Sequence, residues 1–174
     1  MLPTKRTLML ALLLPVTLAT LIGAAPTTGS PATGTDRHGP KPTIVLVGHS
    51  YGGAVISGAA VGDSRVKALV HIAAFTPDKG ESAAQPAAKF PGSTLGETVN
   101  PQSLDEKAGG AAWKTIPSWA LIATADKNIP PAAEGWMARR AGSHTTEVDA
   151  SHAVAVSRPA VVTDVILDAA RATR

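Results

Sequence analysis

A chain of 174 residues suits one domain, so a multi-domain organisation is excluded. Hydrophobic residues at 44% against 17% charged exclude wholesale disorder, and aromatics at 3% make the expected core aliphatic and alanine-rich. The formal net charge of +3 would suit a nucleic-acid partner only if Lys and Arg gathered on one face, but they are scattered, Lys5–Arg6 and Arg139–Arg140 being the adjacent pairs, so a nucleic-acid partner is not expected.

Lys5 and Arg6 precede an apolar run from Leu8 to Ile22, which ends at Gly23-Ala24-Ala25, the layout of a secretory signal peptide over 1–25. A membrane anchor is the rival reading. Pro15 inside the run and the small residues at its end favour cleavage, after which no stable membrane span is expected and the chain is secreted. The sequence has no cysteine, so packing alone must stabilise the fold outside the cytoplasm. Residues 26–42 are dense in Pro, Gly, Ser and Thr and read as a flexible linker, which leaves 43–174 as the folded domain.

From Thr43 onward, short apolar runs alternate with segments of helical period, the pattern of an α/β domain around a parallel sheet. Residues 43–47 form a β-branched strand that stops at Gly48, and 52–60 a helix of small residues. Residues 67–73 read as a buried central strand, apolar on both faces and ended by Pro77. Residues 76–112 show no clear period and are read as loops and short helical pieces. A strand over 118–123, a helix over 131–141 with Pro131 in its first turn, and a short strand over 145–149 follow. The last helix, 159–172, carries Val161, Val162, Val165, Ile166 and Ala169 on one stripe.

The strongest chemical signal is Gly48-His49-Ser50-Tyr51-Gly52. It matches the G-x-S-x-G nucleophile elbow and stands between a strand and a helix, the context that motif requires. The tight turn lifts Ser50 at the carboxyl edge of the sheet, and Gly48 and Gly52 are expected to remove side chains that would collide there. His49 is expected to point away from Ser50 and shape the pocket. A serine hydroxyl needs a base, and the base needs a third group to hold its tautomer, in the chain order Ser, acid, His. Asp126 follows the 118–123 strand and so lies at the same sheet edge, although a helix-capping or loop role would also suit an Asp there. Asp149 is a rival acid, but three residues from His152 it would struggle to reach the imidazole from the required side. His152 lies between the last strand and the last helix, where the base belongs. Among the other histidines, His38 is in the linker, His71 reads as core, and His144 starts its strand at the opposite edge.

The stretches 48–56, 66–82, 90–95, 113–119 and 149–154 together resemble a branch of bacterial α/β-hydrolases, the resemblance running over about 41–174. It implies a three-layer α/β-hydrolase-like parallel sheet, hydrolase or esterase activity, and Ser50, Asp126 and His152 as nucleophile, acid and base. It implies no metal or organic cofactor and a small-molecule ester as substrate. The chain also departs from that family. Relatives carry an earlier strand ending in a His-Gly oxyanion loop, then two helices and another strand before the elbow strand. Here residues 43–47 run straight into the elbow, and His38-Gly39 precedes the strand, at the wrong end of the sheet. The lid segment is also reduced, around 101–112.

The oxyanion hole would then rest on the Tyr51 N–H without its second donor, a loss that typically costs about 10²–10³ in turnover. The elbow strand would keep an unpaired apolar edge that invites self-association. The expected function is a secreted serine hydrolase of carboxylic esters. A catalytically impaired remnant serving as a binding or interaction module is the alternative, and a cofactor-free oxidoreductase on the same fold is a third class, because fold and triad do not dictate the reaction.

Overall fold

The computed structural model describes residues 43–99 and 104–173. The signal-peptide and linker expectations, 1–25 and 26–42, lie outside the described residues. Alternation of strands and helices builds one parallel sheet. Its strands are β1 (Ile44–Ser50), β2 (Val66–Ala74), β3 (Ser118–Ala123) and β4 (His144–Val148), lying in the order β1-β2-β3-β4. All three pairings are parallel. The fold expectation holds: this is an α/β sheet of reduced size.

The helices are α1 (Gly52–Ala59), α2 (Ala84–Ala88), α3 (Leu95–Thr98), α4 (Pro131–Ala141), α5 (Val154–Ser157) and α6 (Pro159–Ala172). Side chains alternate across a strand, so the two faces of the sheet are covered separately. On one face Ala68, Val70, Ile72, Leu121 and Ala123 pack with Val165 and Ala169 of α6, joined by Val161, Val162 and Ile166. The apolar stripe read from the sequence is thus the stripe that docks. On the other face, Val66 and Leu69 meet Ile56 and Ala60 around α1, while Ala120 and Ile122 meet Ala138 of α4. Three layers result.

Several boundaries differ from expectation, two of them for a visible reason. The elbow strand continues past Gly48 through His49 to Ser50, because the β2 ladder keeps pairing, with a register shift between His49 and Ser50. The last strand begins at His144, one residue earlier than its β-branched residues suggest, because His144 pairs with Trp119 and stacks on it at 4.8 Å. α4 ends on Gly142 in the left-handed conformation, φ 63°, whose N–H bonds the Arg139 carbonyl.

The two edges of the sheet are chemically different. β4 presents Thr145, Thr146 and Glu147, all exposed, which is how a natural edge discourages pairing. β1 reads Ile44-Val45-Leu46-Val47, half-buried, and among the described residues it pairs with β2 alone. It has the composition of an interior strand in an edge position.

Candidate active site

At the carboxyl end of β1 the chain turns sharply, and Ser50 takes φ 55°, a conformation that L residues rarely adopt. The Phe75 N–H donates to the Ser50 carbonyl at 3.1 Å and pins the turn to the end of β2. The expectation for Gly48 holds: a Cβ there would stand 2.4 Å from the Gly52 carbonyl oxygen. The expectation for Gly52 needs correction. Nothing lies within 4 Å of a Cβ built on it, and the second steric requirement belongs to Gly53, whose Cβ would meet the Phe75 oxygen at 2.3 Å. The reason is that Gly53 faces the sheet whereas Gly52 faces open space.

Asp126 follows β3 and is buried, at 5% exposure. Its Oδ1 accepts the Asn128 N–H at 2.7 Å and the Ile129 N–H at 3.1 Å, and its Oδ2 lies 2.6 Å from His152 Nδ1. Burial by itself would raise this carboxyl, but the His152 hydrogen bond and charge, with the two backbone N–H donors, outweigh it and hold Asp126 below the ordinary carboxylate range. Asp149 makes no hydrogen bond to the imidazole, so of the two acids weighed from sequence Asp126 is the ring's partner.

His152 sits between β4 and α5, and its ring is partly exposed. With Nδ1 engaged by Asp126, Nε2 is the ring nitrogen left without a protein partner among the described residues. The elbow reaches back to the His152 loop: His49 Nε2 donates to the His152 carbonyl at 2.9 Å, and the two rings lie 4.6 Å apart. The expectation that His49 points away from Ser50 to shape the pocket is thus refined, since its ring leans on the loop that carries His152. Burial lowers the His49 pKa, more than its hydrogen bond to the His152 backbone raises it. Asp126 and His152 are therefore joined directly, and His49 ties the His152 loop to the turn that bears Ser50. No hydrogen bond links Ser50 Oγ to the imidazole.

The Tyr51 N–H donates to no backbone acceptor among the described residues. The Tyr51 side chain lines a shallow cavity of about 190 Å³ with Ala54, Pro77, Ala83, Glu106 and Ala108, and its hydroxyl lies 3.5 Å from Glu106 Oε2. His71 is 2% exposed and packs beneath the elbow, its Nδ1 3.0 Å from where a Cβ on Gly53 would stand, whereas His144 stands at the amino end of β4. His38 lies outside the described residues. No group of three His, Asp or Glu among the described residues is arranged to hold a metal ion.

One residue of this neighbourhood escaped the sequence reading. Glu134, on α4, is 4% exposed and interacts with Asp126. Its signal was a carboxyl in register with Ala133, Met137 and Ala138, on the buried stripe of α4.

Residues 94–165 match the sequence pattern of the alpha/beta hydrolase family. A search of curated protein sequences finds no match. Among solved structures the chain is similar to a pyrethroid hydrolase, at 20% identity and a TM-score of 0.60 over 76% of this chain and 72% of that one. It is also similar to polyneuridine aldehyde esterase, at 17% identity and a TM-score of 0.58 over 76% and 73%. An extracellular alpha/beta-hydrolase from a Paenibacillus species matches at 18% identity and a TM-score of 0.52 over 74% and 72%.

Proposed function

This chain has the α/β-hydrolase fold in a shortened form, and from that premise we propose that it is a secreted serine hydrolase of small carboxylic esters. The observation that carries the reading is the contact of buried Asp126 with His152 at 2.6 Å, tied through His49 to an elbow whose serine stands at φ 55°. In the reaction, His152 Nε2 takes the Ser50 hydroxyl proton as Ser50 Oγ attacks the acyl carbonyl. Asp126 holds the ring tautomer and balances the imidazolium. The Tyr51 N–H donates to the oxyanion. His152 then protonates the leaving alkoxide, and water activated by the same ring hydrolyses the acyl-enzyme. The similarity to a pyrethroid hydrolase and to polyneuridine aldehyde esterase, the one a hydrolase and the other an esterase by name, supports an ester substrate. The shallow cavity beside Tyr51 suits a small acyl or alcohol group.

The test is labelling by a fluorophosphonate probe together with turnover of a panel of p-nitrophenyl esters. Labelling is expected in the wild type and absent in Ser50→Ala, with turnover falling by about 10³-fold or more. A folded wild type that neither labels nor hydrolyses any ester of the panel would overturn the reading.

The open β1 edge favours a second reading, in which the chain is an impaired remnant that binds a partner through that edge. Labelling that depends on Ser50 separates the two.

A further inference from the structure

One buried carboxyl near the site has no part in the steps above. Glu134 Oε2 accepts the Ala123 N–H at 3.2 Å, while its Oε1 is equally buried and receives no hydrogen bond among the described residues. The Asp126 carboxyl is its neighbour from the loop between β3 and α4, and beyond Asp126 lies His152 from the loop after β4. β3 offers only the Ala123 N–H. On α4 itself, the Arg140 guanidinium is turned to Glu81 and the Thr76 carbonyl, and one Arg139 terminal nitrogen lies over Gly135. Two carboxyl groups thus meet in a buried place, and both are acceptors when ionised. The arrangement is satisfied only by a proton on one of them.

We propose that Glu134 is a positioning residue for the Asp126–His152 pair: it stays a neutral carboxylic acid and donates from Oε1 to the Asp126 carboxylate, holding that charge in line with the His152 ring. The surroundings decide which group keeps the proton. Asp126 receives two backbone N–H groups and the imidazole, all favouring its anion, whereas Glu134 receives a single backbone N–H. Burial first, then the Asp126 charge, push the Glu134 carboxyl up to about 10, while Asp126 is held low. The amino end of α4 favours an anion at Glu134, but burial and the facing charge outweigh it. The inference rests on the proposed function only for its catalytic consequence.

Glu134→Gln keeps the shape and a donor; Glu134→Leu keeps only the bulk. Three readouts apply to the folded full chain. The infrared difference between wild type and Glu134→Gln at pH 7 is expected to show the carbonyl band of a protonated carboxyl. The downfield proton resonance of the His152 Nδ1–H is expected to persist in wild type and Glu134→Gln and to shift or broaden in Glu134→Leu. Ester turnover is expected within about threefold of wild type for Gln, and lower for Leu by roughly tenfold to a hundredfold in kcat with KM unchanged, the range for one hydrogen bond to a charged group. Absence of the protonated-carboxyl band overturns the proposal, as does a Leu variant with wild-type resonance and wild-type turnover. If the wild type hydrolyses no ester while the band and the resonance behave as described, the esterase reading fails and the role of Glu134 stands.

Discussion

A methyl group on Gly53 would stand 2.3 Å from the Phe75 carbonyl oxygen and 2.8 Å from the Ala74 side chain, whereas one on Gly52 would meet nothing within 4 Å. Gly53→Ala is therefore expected to destabilise the fold by about 1–3 kcal/mol, as overpacking does. Gly52→Ala is expected to stay within about 0.5 kcal/mol. Urea denaturation of the two variants checks the contrast, and equal midpoints would remove the steric account of the elbow. Asp126 is the other residue whose role is sharp. Asp126→Asn keeps the shape but cannot hold the ring tautomer, and kcat is expected to fall by about 10⁴, the loss seen when the triad acid of a serine protease is so changed. Steady-state kinetics on p-nitrophenyl esters measures it. The pairing of Asp126 with His152 was legible in the sequence because strand ends and chain order place both at one sheet edge. Glu134 was not, because a carboxyl on the apolar stripe of a helix gains meaning only when its neighbour across the fold is known.

At the scale of one strand, β2 carries a liability at acid pH. His71 is buried at 2% exposure, neither ring nitrogen has a partner among the described residues, and burial lowers its pKa to about 4. The folded chain binds the proton less readily than the unfolded chain, so above pH 6.5 the residue adds no pH dependence. Between pH 6.5 and about 4 the unfolded state takes up protons and stability falls, by roughly 3 kcal/mol over the whole window. His71→Leu is expected to remove that contribution while the opposing one from the raised Glu134 carboxyl stays, so lowering the pH from 7 to 4.5 should raise the variant's unfolding midpoint relative to that of the wild type at the same pH. The reading of this strand as central and buried on both faces was correct because Val66-Lys-Ala-Leu-Val-His-Ile-Ala-Ala74 is a nearly continuous apolar run. Its neighbour β1 shows the same pattern but lies at an edge among the described residues, and that difference has consequences beyond the element.

For the whole molecule, an apolar edge strand opposite a polar one, β4, makes the sheet one-sided. Self-association that rises with concentration is expected, and sedimentation velocity over a hundredfold range of protein concentration would reveal it; a monomer throughout would count against an adhesive edge. Residues 1–25 are expected to be removed on export, and N-terminal sequencing of secreted material checks this by finding a start near Pro26. Local order along the chain sufficed to determine the α/β class, the elbow, the identity of Asp126 and His152 as candidates, and the stripe of α6, because each depends on short-range sterics or on a periodic apolar pattern. Only the tertiary structure decided that Gly53 rather than Gly52 is the crowded glycine, that His49 leans on the His152 loop, and that Glu134 stands behind Asp126. Those facts depend on which side chains from distant segments come to face one another, and that is settled by packing the two faces of the sheet rather than by any single segment's pattern.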